Sequence, residues 1–90
     1  MSNTLTEQIE EVENKNATDH TLVLFNDKEH DFKYVTACLI EFCKHEPMQA
    51  EQCTLIAHHN GKCAVKHGSL ILLKDIHEKM AKCKLTTEIN

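Results

Sequence analysis

Tryptophan and arginine are absent from this chain, which has one tyrosine, one proline and two glycines. With no tryptophan and three phenylalanines, the core must be built mainly from aliphatic side chains. The lack of arginine removes the forked contacts that phosphates favour, which argues against a nucleic-acid partner. No apolar run approaches the roughly 20 residues needed to cross a bilayer. The opening residues, Met1-Ser2-Asn3-Thr4, lack the basic-then-apolar order of a secretory signal. The expectation is a soluble, cytoplasmic protein. Its 90 residues suffice for one domain with a small core.

What is present is unevenly placed. Residues 1–19 carry Glu7, Glu10, Glu11, Glu13 and Asp19 against Lys15 alone, so the whole net charge of −4 resides there. Acids and lysines balance over 20–90. Leu5, Ile9 and Val12 are too few to order the leading stretch, which reads as a flexible acidic arm over 1–19, ahead of a domain over 20–90. The cysteines Cys38, Cys43, Cys53, Cys63 and Cys83 are odd in number and form no C-x-x-C pair. They read as reduced, small core residues rather than a disulfide framework.

From His20 the pattern becomes regular. Residues 20–26, His-Thr-Leu-Val-Leu-Phe-Asn, are β-prone and almost continuously apolar, as a central or covered strand would be. Asp31 can cap a helix from about Phe32 to Lys44, whose Val35, Cys38, Leu39 and Phe42 recur at helical steps. Pro47 suits the first position of a second helix, with Ala50, Cys53, Leu55, Ile56 and Ala57 as its apolar positions. Gly61 is a left-handed stop. Lys62 to His67 reads as a strand with Cys63 and Val65 on one face, and Gly68-Ser69 ends it. Ser69 can cap a third helix bearing Leu70, Leu73, Ile76, His77 and Met80, and Leu85 to Ile89 makes a closing strand. The order is β-α-α-β-α-β. Because helices separate all three strands, the expected fold is α+β: a three-stranded sheet covered by helices.

Two short motifs carry the chemistry. Asn26-Asp27 stands where the first strand ends, and His58-His59-Asn60-Gly61-Lys62 follows one helical hairpin later. A strand ending in Asn-Asp, a helix pair, then His-x-x-Gly-Lys leading into a strand resembles the ClpS family, adaptors of the Clp protease. The resemblance covers His20 to Asn90. It implies a non-enzymatic adaptor that binds the N-terminal residue of substrate proteins, an N-degron and usually a large hydrophobic one. The substrate is then handed to a Clp AAA+ chaperone of the protease. No cofactor is implied.

The chemistry of the residues suits that role. A free α-amino group has a pKa of about 8, so near neutral pH it is mostly protonated and offers three donors. Asn26 supplies an amide oxygen, Asp27 a carboxylate and a backbone carbonyl, and His58 a ring nitrogen, which together make an amine-capture site. By position along the matching elements, Phe32, Val35, Thr54, Ala57 and Leu85 would wall a hydrophobic pocket for the first side chain. Burying a Leu- or Phe-sized group there is worth about 1.5–3 kcal/mol. Lys28 stands where the family commonly has a second acid, Phe32 where Met is common, and Thr54 where a bulky apolar residue is frequent. Ser69-Leu70-Ile71 lacks the acid usual at the start of that helix.

Other readings compete residue by residue. Asn26-Asp27 alone suits a turn and helix entry, and His58 alone suits a helix end. A metal site would draw on His58, His59, Cys63 and His67, but none of the familiar zinc spacings occurs. No nucleophile elbow accompanies Ser69 or Cys63, so a hydrolase is not expected. A plain protein-interaction domain of similar fold is the remaining alternative.

Overall fold

Six residues of nearly unbroken apolar character, His20–Phe25, form strand β1 at the centre of the sheet. The computed structural model describes residues 20–90; the arm expected over 1–19 lies outside the described residues. Helix α1 spans Phe32–Cys43, α2 Pro47–Asn60, and strand β2 Lys62–Gly68. Helix α3 spans Leu70–Lys82 and strand β3 Thr87–Ile89. The sheet order is β2-β1-β3 with both pairings antiparallel. The expected β-α-α-β-α-β order and the helix-covered three-stranded sheet are therefore present.

Local chemistry sets the element ends. Asp31 Oδ1 accepts the Tyr34 amide at 2.8 Å and starts α1; Ser69 Oγ accepts the Leu72 amide at 3.1 Å and starts α3. Each satisfies one amide that has no partner within its own helix. Pro47 opens α2, and Gly61, at φ +93°, closes it with its N–H on Ala57 O. The last strand begins at Thr87 rather than Leu85. Leu85 is nonetheless buried, and Phe25 N–H bonds Thr86 O at 3.0 Å, so the stretch ahead of β3 still lies along β1.

The core gathers Leu22 and Leu24 of β1, Leu39 of α1, and Leu73, Ile76 and Met80 of α3. Against this α2 presents a narrow stripe of small residues, Ala50, Thr54 and Ala57. Leu55 and Ile56, expected on the buried side, are 45% and 44% exposed. The stripe at i, i+4 and i+7 faces inward, and adjacent positions turn away from it. Thr36 of α1 meets Thr54 hydroxyl to hydroxyl at 3.0 Å, and Thr54 also bonds Ala50 O. Their polar atoms are thereby satisfied inside a helix–helix contact.

The β1–β2 register shifts between Leu22 and Val23, which pair with Lys66 and Ala64. Val65 is the extra residue, and its carbonyl takes a hydrogen bond from the buried His45 ring. A bulge that would strand one backbone group thus finds a side-chain partner from the α1–α2 connection.

Candidate functional site

Strand β1 ends beside the stop of α2. Asn26 N–H donates to Gly61 O at 2.9 Å, while Phe25 pairs with Lys62. Gly61 can adopt its left-handed backbone without a side-chain penalty, which turns the chain from α2 directly into β2. That one bond sets Asn26 against the last turn of α2, the turn that carries His58. Both side chains are exposed. Among the described residues neither the Asn26 amide nor the His58 ring has a hydrogen-bond partner; His58 makes only an edge contact with the His59 ring.

Asp27 is differently engaged. Its Oδ1 accepts the amides of Glu29 and His30 at 3.0 and 2.9 Å, and its Oδ2 meets His30 Nδ1 at 3.0 Å. Burial pushes the Asp27 carboxyl up, but the His30 ring and the two amides outweigh it and hold the group below its ordinary value. The carboxylate is therefore the anchor of the loop between β1 and α1. His30 in turn stacks on Tyr34, with ring centroids 4.8 Å apart. Tyr34 donates its hydroxyl to Cys83 O at 2.9 Å. A chain of contacts so runs from Asp27 through His30 and Tyr34 to the end of α3.

His30 was not singled out from the sequence. Its signal was the Asp-x-x-His spacing of Asp27 and His30, short enough for a ring to reach a carboxylate within one turn. Lys28 is exposed and makes no ion pair among the described residues.

The five expected pocket walls come from α1 (Phe32, Val35), α2 (Thr54, Ala57) and the stretch ahead of β3 (Leu85). Ala57 and Leu85 belong to the core, and Val35 packs against it. Thr54 is buried in the α1–α2 contact, whereas Phe32 is 40% exposed at the start of α1. Two cavities are lined by other residues. One, of about 380 Å³, runs between Phe42, Lys44, Lys66 and Leu72; the other, of about 190 Å³, holds Tyr34, Cys38 and Cys83. Among the described residues no three His, Cys, Asp or Glu side chains gather as a metal site would require. His67 instead bonds Thr21, and the Cys63 thiol bonds Ala64 O. No helix of the described residues is long and apolar enough to cross a membrane.

The described residues form a small helix-covered antiparallel sheet, with the Asn26 and His58 side chains exposed where β1 and α2 end. The family described as ATP-dependent Clp protease adaptor protein ClpS matches residues 6–87. That is nearly the whole chain, and the protein belongs to the ClpS family. Its class is accordingly a non-catalytic adaptor of the Clp protease. The fold is similar to that of Agrobacterium tumefaciens ClpS2 solved bound to L-phenylalaninamide, with a TM-score of 0.71 and 16% identity. The likeness covers 79% of this chain and 95% of that one. No curated protein matches the sequence.

Proposed function

We propose that this chain holds the free N-terminal residue of a substrate protein at Asn26, Asp27 and His58 and delivers that substrate to a Clp ATPase–protease. The observation that carries the reading is the Asn26 to Gly61 backbone bond, which brings the strand end and the α2 terminus side by side. Asn26 and His58 then offer acceptors from two separate elements. Asp27 contributes its negative charge and backbone carbonyl while its carboxylate fixes the loop. A carboxylate has about four acceptor sites, and three are taken by Glu29 and His30.

The ligand of the Agrobacterium tumefaciens ClpS2 structure supports the same chemistry. L-phenylalaninamide has a free α-amine, an aromatic side chain and an uncharged amide where a chain would continue. For this chain the first side chain would rest against Phe32, Val35, Thr54, Ala57 and Leu85. Thr54 engages its hydroxyl with Ala50 O and Thr36, so an apolar guest would meet its methyl. Phe32 is the exposed member of the five and would stand at the lip. One large side chain, at about 1.5–3 kcal/mol, and charge-assisted hydrogen bonds, at about 1.5–3 kcal/mol each before ordering costs, suit a Kd near the micromolar scale, about −8 kcal/mol. Such strength holds a substrate and still releases it.

Calorimetric titration with peptides differing only in their first residue tests this. Phe or Leu at the first position should bind, and Asp or Gly should bind at least tenfold more weakly. Equal affinity across the series would contradict a recess for the first side chain. Among the described residues no ligand set gathers for a metal, and a plain interaction domain would bind its partner regardless of the peptide's first residue.

A further inference from the structure

Cys38 of α1 and Cys83, which caps α3, line the same shallow cavity of about 190 Å³ together with Tyr34, Ala37, Glu41 and Phe42. Cys38 is buried and Cys83 half-buried. The Tyr34 hydroxyl bond to Cys83 O at 2.9 Å ties the first turn of α1 to the end of α3, on which the two cysteines stand. Both thiols and the Tyr34 side chain border that one cavity. Burial, and after it the neighbouring Cys83, pushes the Cys38 thiol up to about 11. Cys38 thus rests as a protonated thiol, and Cys83 is the more exposed residue of the two. Amine capture uses neither.

We propose that Cys38 and Cys83 form a reversible dithiol–disulfide site, reduced at rest and closed by hydroperoxides. The Cys83 thiolate attacks the outer oxygen of the hydroperoxide; the O–O bond breaks, Cys83 becomes a sulfenic acid, and the alkoxide leaves as alcohol after taking up a proton. Cys38 then attacks the Cys83 sulfur. The S–S bond forms, the S–O bond breaks, and hydroxide departs as water with the Cys38 proton. Two thiols and one hydroperoxide become one disulfide, one alcohol and one water. Closure tethers the helix that carries Phe32 and Val35 to the segment that runs into Leu85.

The test uses the full reduced chain treated with tert-butyl hydroperoxide. Of the five free thiols, titration should find three afterwards, with the loss of two hydrogens by mass and a Cys38–Cys83 linkage by peptide mapping. Dithiothreitol should restore all five. Cys83→Ser should abolish the linkage, and Cys38→Ala should leave a Cys83 sulfenic acid that dimedone traps. Cys63 also faces Cys53, so the map must discriminate between pairs. Five intact thiols, a linkage confined to Cys53 and Cys63, or a Cys83→Ser variant that still loses two thiols would overturn the proposal.

Discussion

Asn26 and Asp27 at the end of β1 and His58 at the end of α2 have unequal parts. Asn26 and His58 are exposed and unpartnered by hydrogen bonds, so truncating either removes an acceptor and nothing that the fold uses. Asn26→Ala and His58→Ala should each weaken a Phe-initial peptide about tenfold or more, as the loss of a charge-assisted hydrogen bond worth about 1.5–3 kcal/mol implies. The melting temperature should stay close to that of the parent. A variant that melts much earlier but binds with unchanged affinity would contradict the assignment. Asp27 differs, because its carboxylate holds Glu29 and His30 in place. Its folded-state pKa is lowered, so its stabilisation is complete above the ordinary carboxylate range, near pH 4, and is lost as pH falls through the lowered value. Asp27→Asn should therefore be less stable than the parent at pH 7 in urea unfolding, with the gap closing as pH falls below the ordinary carboxylate value of about 4. A gap that does not change with pH would show that the charge of Asp27 is irrelevant to the loop.

At the scale of elements, the turn from α2 into β2 matters more to the site than any helix cap. Gly61 has φ +93° and no atom within 4 Å of where a Cβ would stand. Gly61→Ala meets backbone strain of about 1–2 kcal/mol without a clash, and it disturbs the carbonyl that Asn26 uses. Both stability and peptide affinity should fall. Ser69→Ala should cost about 1 kcal/mol, the usual loss of an N-cap, and leave affinity unchanged because α3 starts away from the site. Equal effects of the two variants on binding would break the link between the Gly61 turn and the site. The helix starts were legible because Asp31, Pro47 and Ser69 act through their own first turns. The burial of α2 was not: Leu55 and Ile56 look like core by hydrophobicity, yet the neighbouring helix contacts the small stripe of Ala50, Thr54 and Ala57. The bulge at Val65 was also hidden, since it depends on His45 arriving from a distant connection.

For the whole molecule, the order of elements follows from local periodicity, and the α+β reading needed little more. Strand order needed the pairing of distant segments, as with β3 joining the free edge of β1. The site is legible to a similar extent. That Asn26 and the last turn of the His58 helix would lie near each other could be read from where β1 and α2 end, and the bond from Asn26 N–H to Gly61 O joins those ends. The capture of the Asp27 carboxylate by His30 was hidden because turn chemistry and ligand chemistry call on the same acceptor atoms. What the fold supplies is a fixed meeting of the end of β1 with the end of α2. The amine-capture account turns on a positive charge being required at that meeting. Titrating one Phe-initial peptide and its N-acetylated twin measures this directly, since acetylation removes the charge and keeps the side chain. The free peptide should bind near the micromolar scale and the acetylated one should show no measurable heat; equal affinities would contradict it.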